Sequence, residues 1–194
     1  DIGIQALSGA AERNDDFIYI CYDNEAYMNT GTQRSGLTPQ GARTTTTWAG
    51  KRENPKDMPR IMEAHGVPYV ASTTAAYPED VYDRVAKARD IEGLRYIHMN
   101  TPCPSGWGFD PKDTVRLGKL AVQTGFIVMY EVENGVFRFT GRSRALARSG
   151  KRAPVTDLIA AQGRYRDMSD AAVAELQAWV DARWAAFMAR AGED

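Results

Sequence analysis

The stretch FIYICYDNEAYMNTG, which spans residues 17–31, decides the fold. Its first six residues are apolar, rich in β-branched and aromatic side chains and bounded by aspartates, which predicts a buried strand of the parallel type. The polar residues 23–31 follow directly, and Gly31 would let the backbone approach a ligand closely. Ligands of open α/β sheets bind beyond the carboxyl ends of the strands. The polar segment is therefore expected to line a cofactor site.

Helical and strand patterns alternate on both sides of this stretch. The other predicted elements of this region are a helix ending at residue 14, a helix over 57–65, a strand over 67–72, a helix from 78, a strand over 95–99 and a helix from 111 to about 124. Strand–helix–strand alternation implies βαβ units and a parallel sheet. We therefore predict an α/β fold with a mainly parallel sheet flanked by helices.

The last third of the chain changes its pattern. Asn134-Gly135, between the apolar runs 126–132 and 136–140, predicts a β-hairpin, because Asn-Gly is the strongest short turn signal. The basic run 142–152 predicts a solvated surface loop, and two further helices are expected after it. This region is therefore expected to extend the parallel part with a hairpin and helices.

We divide the chain after residue 125. Residues 1–125 are expected to form the cofactor-binding domain, with a further N-terminal part before Asp1, since the chain begins with Asp and not with Met. Residues 126–194 are expected to form a C-terminal hairpin and helical extension that packs on the same domain or on a partner subunit. The polar loop 23–56 is long for a compact domain, and loops of that length usually carry function.

Composition excludes several classes of protein. The net charge of −1 gives the molecule no general attraction to nucleic acid or to an anionic membrane. No apolar run approaches the roughly 20 residues that span a bilayer. Two cysteines, Cys21 and Cys103, make no disulfide framework, which favours a reducing cytoplasm.

The polar segment carries the oxygen groups of a magnesium and diphosphate site. Asn24 offers a side-chain oxygen, and the backbone carbonyl of Ala26 can lie near the same ion; Mg²⁺ prefers oxygen ligands and often shares them with phosphates. Asn29, Thr30 and Gln33 add neutral donors that suit phosphate or substrate. The alternative is a polar loop that satisfies its own backbone.

Three motifs carry a resemblance to a known family. They are DIG at residues 1–3, DNEAYMNTGTQRS at 23–35 and TPQGA at 38–42. Together they resemble the β subunit of pyruvate:ferredoxin oxidoreductase and its relatives, over essentially the whole chain but more weakly after about residue 142. The resemblance implies a thiamine-diphosphate-binding fold. It also implies CoA-dependent oxidative decarboxylation of a 2-oxoacid to an acyl-CoA and CO₂, with electrons passed to iron–sulfur clusters.

The resemblance also implies roles for individual residues. Asn24 and the carbonyl of Ala26 would bind Mg²⁺ together with the Asp of a Gly-Asp-Gly triplet, expected shortly before Asp1. Asn29 would lie beside the reacting atoms and orient the substrate by hydrogen bonding, because an amide does not titrate. The residues expected to line thiamine diphosphate are Asp1, Ile2, Asn24, Glu25, Ala26, Tyr27, Met28, Asn29, Thr30 and Gln33.

A second polar segment, TPCPSGWG at residues 101–108, follows the strand 95–99. A lone cysteine is usually a small buried apolar residue, and Cys21, inside its strand, is expected to be one. The resemblance implies that Cys103 is instead one ligand of a [4Fe–4S] cluster. Such a cluster normally needs four thiolates, and the other three are expected from the N-terminal part. His98 is expected to be a structural histidine.

The resemblance finally implies a multi-subunit enzyme. Its expected partners are α, γ and ferredoxin-like δ subunits, a 2-oxoacid, CoA, and ferredoxin or an NAD-reducing subunit. Pyruvate is the common substrate of the family, and aromatic acids such as phenylglyoxylate, branched-chain acids and oxalate belong to close relatives. Two alternatives stay open: a non-redox thiamine-diphosphate decarboxylase or synthase, which has no use for Cys103, and a non-catalytic assembly or electron-transfer subunit.

Overall fold

A computed structural model describes residues 2–192 of the chain. Its strands are β1 Phe17–Asp23, β2 Tyr69–Thr74, β3 Leu94–Asn100, β4 Tyr130–Glu133 and β5 Val136–Phe139. Its helices are α1 Ile4–Arg13, α2 Met58–Ala64, α3 Pro78–Arg89, α4 Pro104–Trp107, α5 Thr114–Gln123, α6 Gly141–Ser149, α7 Val155–Ala160 and α8 Asp170–Ala191, with 3₁₀ turns at Pro111–Asp113 and Gly163–Tyr165. None of the described helices is long and apolar enough to cross a membrane.

The five strands form one sheet in the order β1-β3-β2-β4-β5. The first three strands are parallel, β4 runs antiparallel to β2, and β5 runs antiparallel to β4. Asp23 and Thr74, the last residues of β1 and β2, both lie opposite Asn100 at the end of β3. The predicted mainly parallel α/β sheet is therefore confirmed, and three strands present their carboxyl ends at one edge.

Helices cover both faces of the sheet. Tyr69 and Ala71 of β2 pack with Ile97 of β3 against α3. Val70, which lies between them on the strand, faces the opposite layer, which contains α1 and α8. All six residues of β2 are buried, as expected for a central strand with helices on both sides.

The prediction that the first strand is buried was wrong. β1 is parallel, as expected, but it is the edge of the described sheet, and Tyr22 is 71% exposed. Its apolar residues favour a strand, yet they do not determine how many strands lie beside it. Between residues 2 and 192, β1 pairs with β3 alone, and four of its seven residues are exposed.

Two predictions for the last third need correction. Residues 141–149 form the helix α6 and not a loop, because Ser143 and Leu146, three positions apart, are buried on one face. The hairpin is confirmed, but its first strand begins at Tyr130 and not at residue 126. Asn134 and Gly135 both have positive φ, 49° and 84°, as a two-residue hairpin turn requires. The division of the chain after residue 125 stays a prediction.

Candidate functional site

Two polar loops meet at the carboxyl edge of the sheet. The first loop, residues 24–33, follows β1, and the second loop, residues 101–108, follows β3. Because β1 and β3 are parallel neighbours, the loops leave the sheet side by side. The Thr101 amide donates to the Asp23 carbonyl at 2.8 Å, and the Trp107 indole Nε1 donates to the Asn24 carbonyl at 2.9 Å. The sheet topology therefore brings together the two segments that the sequence singles out.

The contact between the loops depends on a glycine. A Cβ placed on Gly106 would collide with the Met28 sulfur and would lie 3.5 Å from the Cys103 sulfur. Met28 of the first loop thus packs against the backbone of the second loop, next to the cysteine. A side chain at position 106 would displace the end of the Met28 side chain from this contact.

The groups predicted to bind the metal are available. Within residues 2–192, the Asn24 side chain, the Ala26 carbonyl and the Asn29 side chain make no hydrogen bond. The oxygens of Asn24 and Ala26 are neutral ligands of the kind that Mg²⁺ accepts beside a diphosphate. The Asn29 amide is available for its predicted hydrogen bond to the substrate. The first loop therefore fits the predicted cofactor and does not use these oxygens to satisfy its own backbone.

Other residues of the first loop hold its shape. Thr30 Oγ1 donates to Gln33 Oε1 at 2.5 Å, and Gln33 Nε2 donates to the Thr30 carbonyl at 2.6 Å. The Tyr27 amide donates to the Gln33 carbonyl at 3.0 Å, which closes the turn. Ile2 lies just before α1 with its side chain almost fully exposed, and Asp1 lies outside the described residues. The predicted cofactor roles of these residues stay predictions.

Glu25 turns its side chain into the protein. It adopts a left-handed backbone, with φ 70°, and is 3% exposed. Its carboxylate accepts a hydrogen bond from Asn100 Nδ2 at 3.1 Å and pairs with Arg164 Nη2 at 2.5 Å. Burial raises the pKa of Glu25 to about 6, while the charge of Arg164 opposes this rise. The carboxylate is thus bound to partners inside the protein. Only the backbone of Glu25 is available to line thiamine diphosphate, the role predicted for this residue.

A buried polar chain supports the start of the first loop. Asp23 Oδ1 accepts from the Glu25 amide at 2.7 Å, and Asp23 Oδ2 lies 3.1 Å from His98 Nε2. The other ring nitrogen, His98 Nδ1, lies 2.9 Å from the Tyr96 hydroxyl. Burial alone would lower the pKa of His98, but the hydrogen bond to Asp23 and further bonding to Cys21 raise it to about 10. This raised pKa favours the imidazolium at neutral pH, and both ring nitrogens have a polar neighbour.

We expect this pair to make stability depend on pH. A histidine whose pKa is raised from 6.5 to about 10 on folding stabilises the native state fully below about pH 6.5, and this contribution is lost as the pH rises through about 10. Urea unfolding of the full-length subunit at pH 6.5 and pH 9.5 measures the loss. His98→Gln is expected to show a pH-dependent loss smaller by about 1 kcal/mol or more. Equal losses in both proteins would contradict the assignment.

Sequence reasoning missed three residues that shape the site. Trp107 lies inside the motif at residues 101–108 and Asn100 lies next to it, but no sequence pattern indicated which residues they would hydrogen-bond. Arg164 lies 139 positions after Glu25, in a region that the sequence assigned to the C-terminal extension. Only the buried tryptophan of the second loop offered a signal, because buried indoles usually donate a hydrogen bond.

The cysteines differ in their surroundings. Cys103 is partly exposed, and its sulfur lies 3.5 Å from Ser105 Oγ. Cys21 packs against the main core, but it is partly exposed like Cys103, so the prediction that it is fully buried was wrong. Across the described part of the chain, no three His, Cys, Asp or Glu side chains are grouped to hold a metal. A four-thiolate cluster at Cys103 therefore needs thiolates beyond those that residues 2–192 supply.

The sheet and the two loops define a cofactor-binding α/β domain, with its site outside the carboxyl ends of parallel strands. The family model described as thiamine pyrophosphate enzyme, C-terminal TPP binding domain, matches residues 1–99, which is slightly more than half of the chain. The chain belongs to this family. The predicted thiamine-diphosphate-binding fold is thereby confirmed.

Curated relatives agree with the sequence motifs. The chain is 54% identical over 186 residues to pyruvate synthase subunit PorB of Methanothermobacter marburgensis. This match covers 93% of this chain and 62% of the relative. The chain is 41% identical over 189 residues to ketoisovalerate oxidoreductase subunit VorB of Pyrococcus abyssi, covering 95% and 60%. The resemblance inferred from the motifs is confirmed, and the chain spans about three fifths of the length of these relatives.

A solved structure shares the fold. It is a 2-oxoglutarate:ferredoxin oxidoreductase from Magnetococcus marinus with 2-oxoglutarate, coenzyme A and succinyl-CoA bound. The TM-score is 0.53 at 21% identity, and the match covers 82% of this chain and 62% of that one. At this identity the likeness supports the fold alone.

Proposed function

We propose that the chain is the thiamine-diphosphate-binding β subunit of a 2-oxoacid:acceptor oxidoreductase. The overall reaction converts a 2-oxoacid and CoA into an acyl-CoA and CO₂, and two electrons leave through iron–sulfur clusters. One observation carries the proposal: a loop with unpaired oxygen ligands for a metal–diphosphate group packs directly against a loop with a partly exposed cysteine. A cofactor site and an electron acceptor at adjacent positions fit this reaction class.

Each residue of the first loop has a proposed task. Asn24, through its side-chain oxygen, and Ala26, through its carbonyl, would hold Mg²⁺, which would supply positive charge beside the diphosphate. When bound, thiamine diphosphate supplies the chemistry that stabilises the carbanion left by loss of CO₂. The exposed amide of Asn29 orients the substrate by hydrogen bonding. The remaining first-loop residues shape the surface against which the cofactor lies.

Cys103 is proposed as one thiolate ligand of a [4Fe–4S] cluster, with the other three from residues outside 2–192. The Met28–Gly106 contact brings this thiolate close to the cofactor loop, which suits electron transfer over a short distance.

Cys103→Ser tests the cluster ligand. In the assembled complex, this change is expected to lower the iron content and to alter the EPR signal of the reduced cluster, since serine replaces a thiolate with a harder oxygen ligand. Cys21→Ser removes the other thiol of the chain and serves as the control, because Cys21 packs against the core. An unchanged spectrum in Cys103→Ser would remove Cys103 from the cluster.

The proposed substrate is pyruvate, with branched-chain and aromatic 2-oxoacids such as phenylglyoxylate as the alternatives. The names of the relatives, pyruvate synthase and ketoisovalerate oxidoreductase, support the first two classes. We further propose assembly with α, γ and ferredoxin-like δ subunits, ferredoxin or an NAD-reducing subunit as acceptor, and a cytoplasmic location, in keeping with two free cysteines.

The decisive experiment uses the purified complex. Thiamine diphosphate, magnesium and iron are measured, and CO₂ release and acceptor reduction are assayed against a panel of 2-oxoacids with and without CoA. We expect all three cofactors and CoA-dependent acceptor reduction. CO₂ release without iron or acceptor reduction would instead indicate a non-redox decarboxylase or synthase. A complex without thiamine diphosphate would indicate an assembly or electron-transfer subunit.

A further inference from the structure

Arg164 lies buried beneath the point where the two loops meet. It belongs to the 3₁₀ turn Gly163–Tyr165 and is 7% exposed. Its Nη2 lies 2.5 Å from Glu25 Oε2, and its guanidinium carbon stands 4.1 Å from the centre of the Trp107 ring. Its Nε donates to Gln162 Oε1 at 2.8 Å, which fixes the guanidinium plane. One side chain thus contacts a residue of each loop.

The contact with Glu25 ties Arg164 to the segment that carries the proposed metal ligands. Glu25 stands between Asn24 and Ala26, and its left-handed backbone is unfavourable for a residue other than glycine. The inward carboxylate compensates for this strain through its bonds to Arg164 and Asn100. The peptide units beside Glu25 are held by Asp23 Oδ1, which accepts from the Glu25 amide at 2.7 Å, and by Thr38 Oγ1, which donates to the Glu25 carbonyl at 2.6 Å. The anchored carboxylate adds a third attachment, through the side chain, between Asn24 and Ala26. Without Arg164, a buried carboxylate would lose its charge partner, and the loop would relax outward to hydrate it.

The contact with Trp107 reaches the same loop from the other side. Arg164 packs on the face of the indole, whose Nε1 donates to the Asn24 carbonyl. The adjacent Gly163 amide donates to the Gly108 carbonyl at 3.0 Å, and the two backbones approach so closely that a Cβ on Gly108 would lie 3.1 Å from the Gly163 Cα. The turn that carries Arg164 therefore holds the second loop in register with the first.

We infer that Arg164 is a positioning residue that holds the oxygens of Asn24 and Ala26 in the geometry required by the metal–diphosphate group and keeps the second loop against the first. This inference rests on the proposed function. If the ion pair were purely structural, removing it would lower stability only. The protein that remained folded would then bind the cofactor with wild-type affinity.

Arg164→Gln in the assembled complex tests the inference. The dissociation constant of thiamine diphosphate is measured by calorimetry at saturating Mg²⁺, together with the thermal midpoint. We expect binding to weaken about tenfold or more, in the range found when a partner behind a metal ligand is removed. Arg164→Lys keeps the charge but not the stacked plane, and it is expected to recover part of the affinity.

Arg152→Gln is the matched control. Arg152 also pairs with a carboxylate, Asp181 at 2.5 Å, and stacks on an indole, Trp184 at 5.1 Å, but its partners lie outside both loops. It is expected to lower the thermal midpoint without weakening cofactor binding. The Arg152–Asp181 pair is the more exposed of the two, with side chains 18% and 50% exposed against 5% and 3% for Arg164 and Glu25, so the thermal midpoint of Arg152→Gln is expected to fall less. Wild-type affinity in Arg164→Gln, or an equal affinity loss in Arg152→Gln, would overturn the inference.

Trp107→Phe decides the matter if Arg164→Gln does not fold. Phenylalanine keeps a ring beneath the guanidinium but removes the N–H that donates to the Asn24 carbonyl, together with part of the ring surface of a side chain that is 1% exposed. We expect a lower thermal midpoint and several-fold weaker cofactor binding in the complex that remains folded. Wild-type affinity in Trp107→Phe would overturn the inference. A wild-type complex that binds no thiamine diphosphate would refute the proposed function itself, which is a separate result.

Discussion

The assembled complex with Asn24→Ala is expected to lose at least about 100-fold in turnover, because alanine removes a proposed direct ligand of the metal, a larger change than the loss of an outer partner. The Asn24 side chain has no hydrogen-bond partner among residues 2–192, and its backbone carbonyl is already used by Trp107. Turnover, magnesium and thiamine diphosphate are measured after gel filtration, and all three are expected to fall together.

Two variants bracket this result. Asn24→Asp keeps an oxygen ligand and is expected to retain more cofactor than Asn24→Ala. Asn54→Ala makes the same amide-to-methyl change at an exposed position of the same polar segment and is expected to behave as wild type. Near-normal turnover and cofactor content in Asn24→Ala would remove the first loop from the site.

The position of the site was predictable because it depends on local patterns. Polar residues follow two strand-like runs, and parallel neighbours must end at the same edge of a sheet. The sequence does not state that β1 and β3 are neighbours, but βαβ connections permit few arrangements. In the structure Asp23 pairs with Asn100, and the two loops are adjacent.

The support of the site was not predictable from the same patterns. Glu25 resembles any polar loop residue, and its inward direction depends on a left-handed backbone and on a cation 139 positions away. No periodicity links residues at that separation. The exposure of β1 was missed for a related reason, since composition indicates a strand but not its neighbours. In α6, the many arginines favoured a solvated loop, although Ser143 and Leu146 have the spacing of a buried helix face.

Glu131→Gln is expected to destabilise the native state by about 3–5 kcal/mol, the cost of breaking a buried ion pair. Glu131 is 6% exposed on β4, and its carboxylate accepts from the Tyr69 hydroxyl at 2.9 Å, from Lys87 Nζ at 2.8 Å and from Arg84. Burial would raise the pKa of this carboxyl, but the bond to Lys87 and the charge of Arg84 hold it below its usual value. Urea unfolding of the full-length subunit at pH 7 measures the loss.

Glu133→Gln is the control that shows how much of the loss in Glu131→Gln depends on the burial of the ion pair. Glu133 lies two positions further along the same strand and pairs with the same lysine at 2.8 Å, but a third of its side chain is exposed. An exposed pair contributes about 0–1 kcal/mol, so this control is expected to cost far less.

Because the pKa of Glu131 is lowered on folding, its contribution is present above the unfolded pKa of about 4.5 and disappears as the pH falls through the folded value. The gap between the two variants should therefore close in acid, and a constant gap from pH 7 to pH 3 would show that lost packing, and not lost charge, destabilises Glu131→Gln.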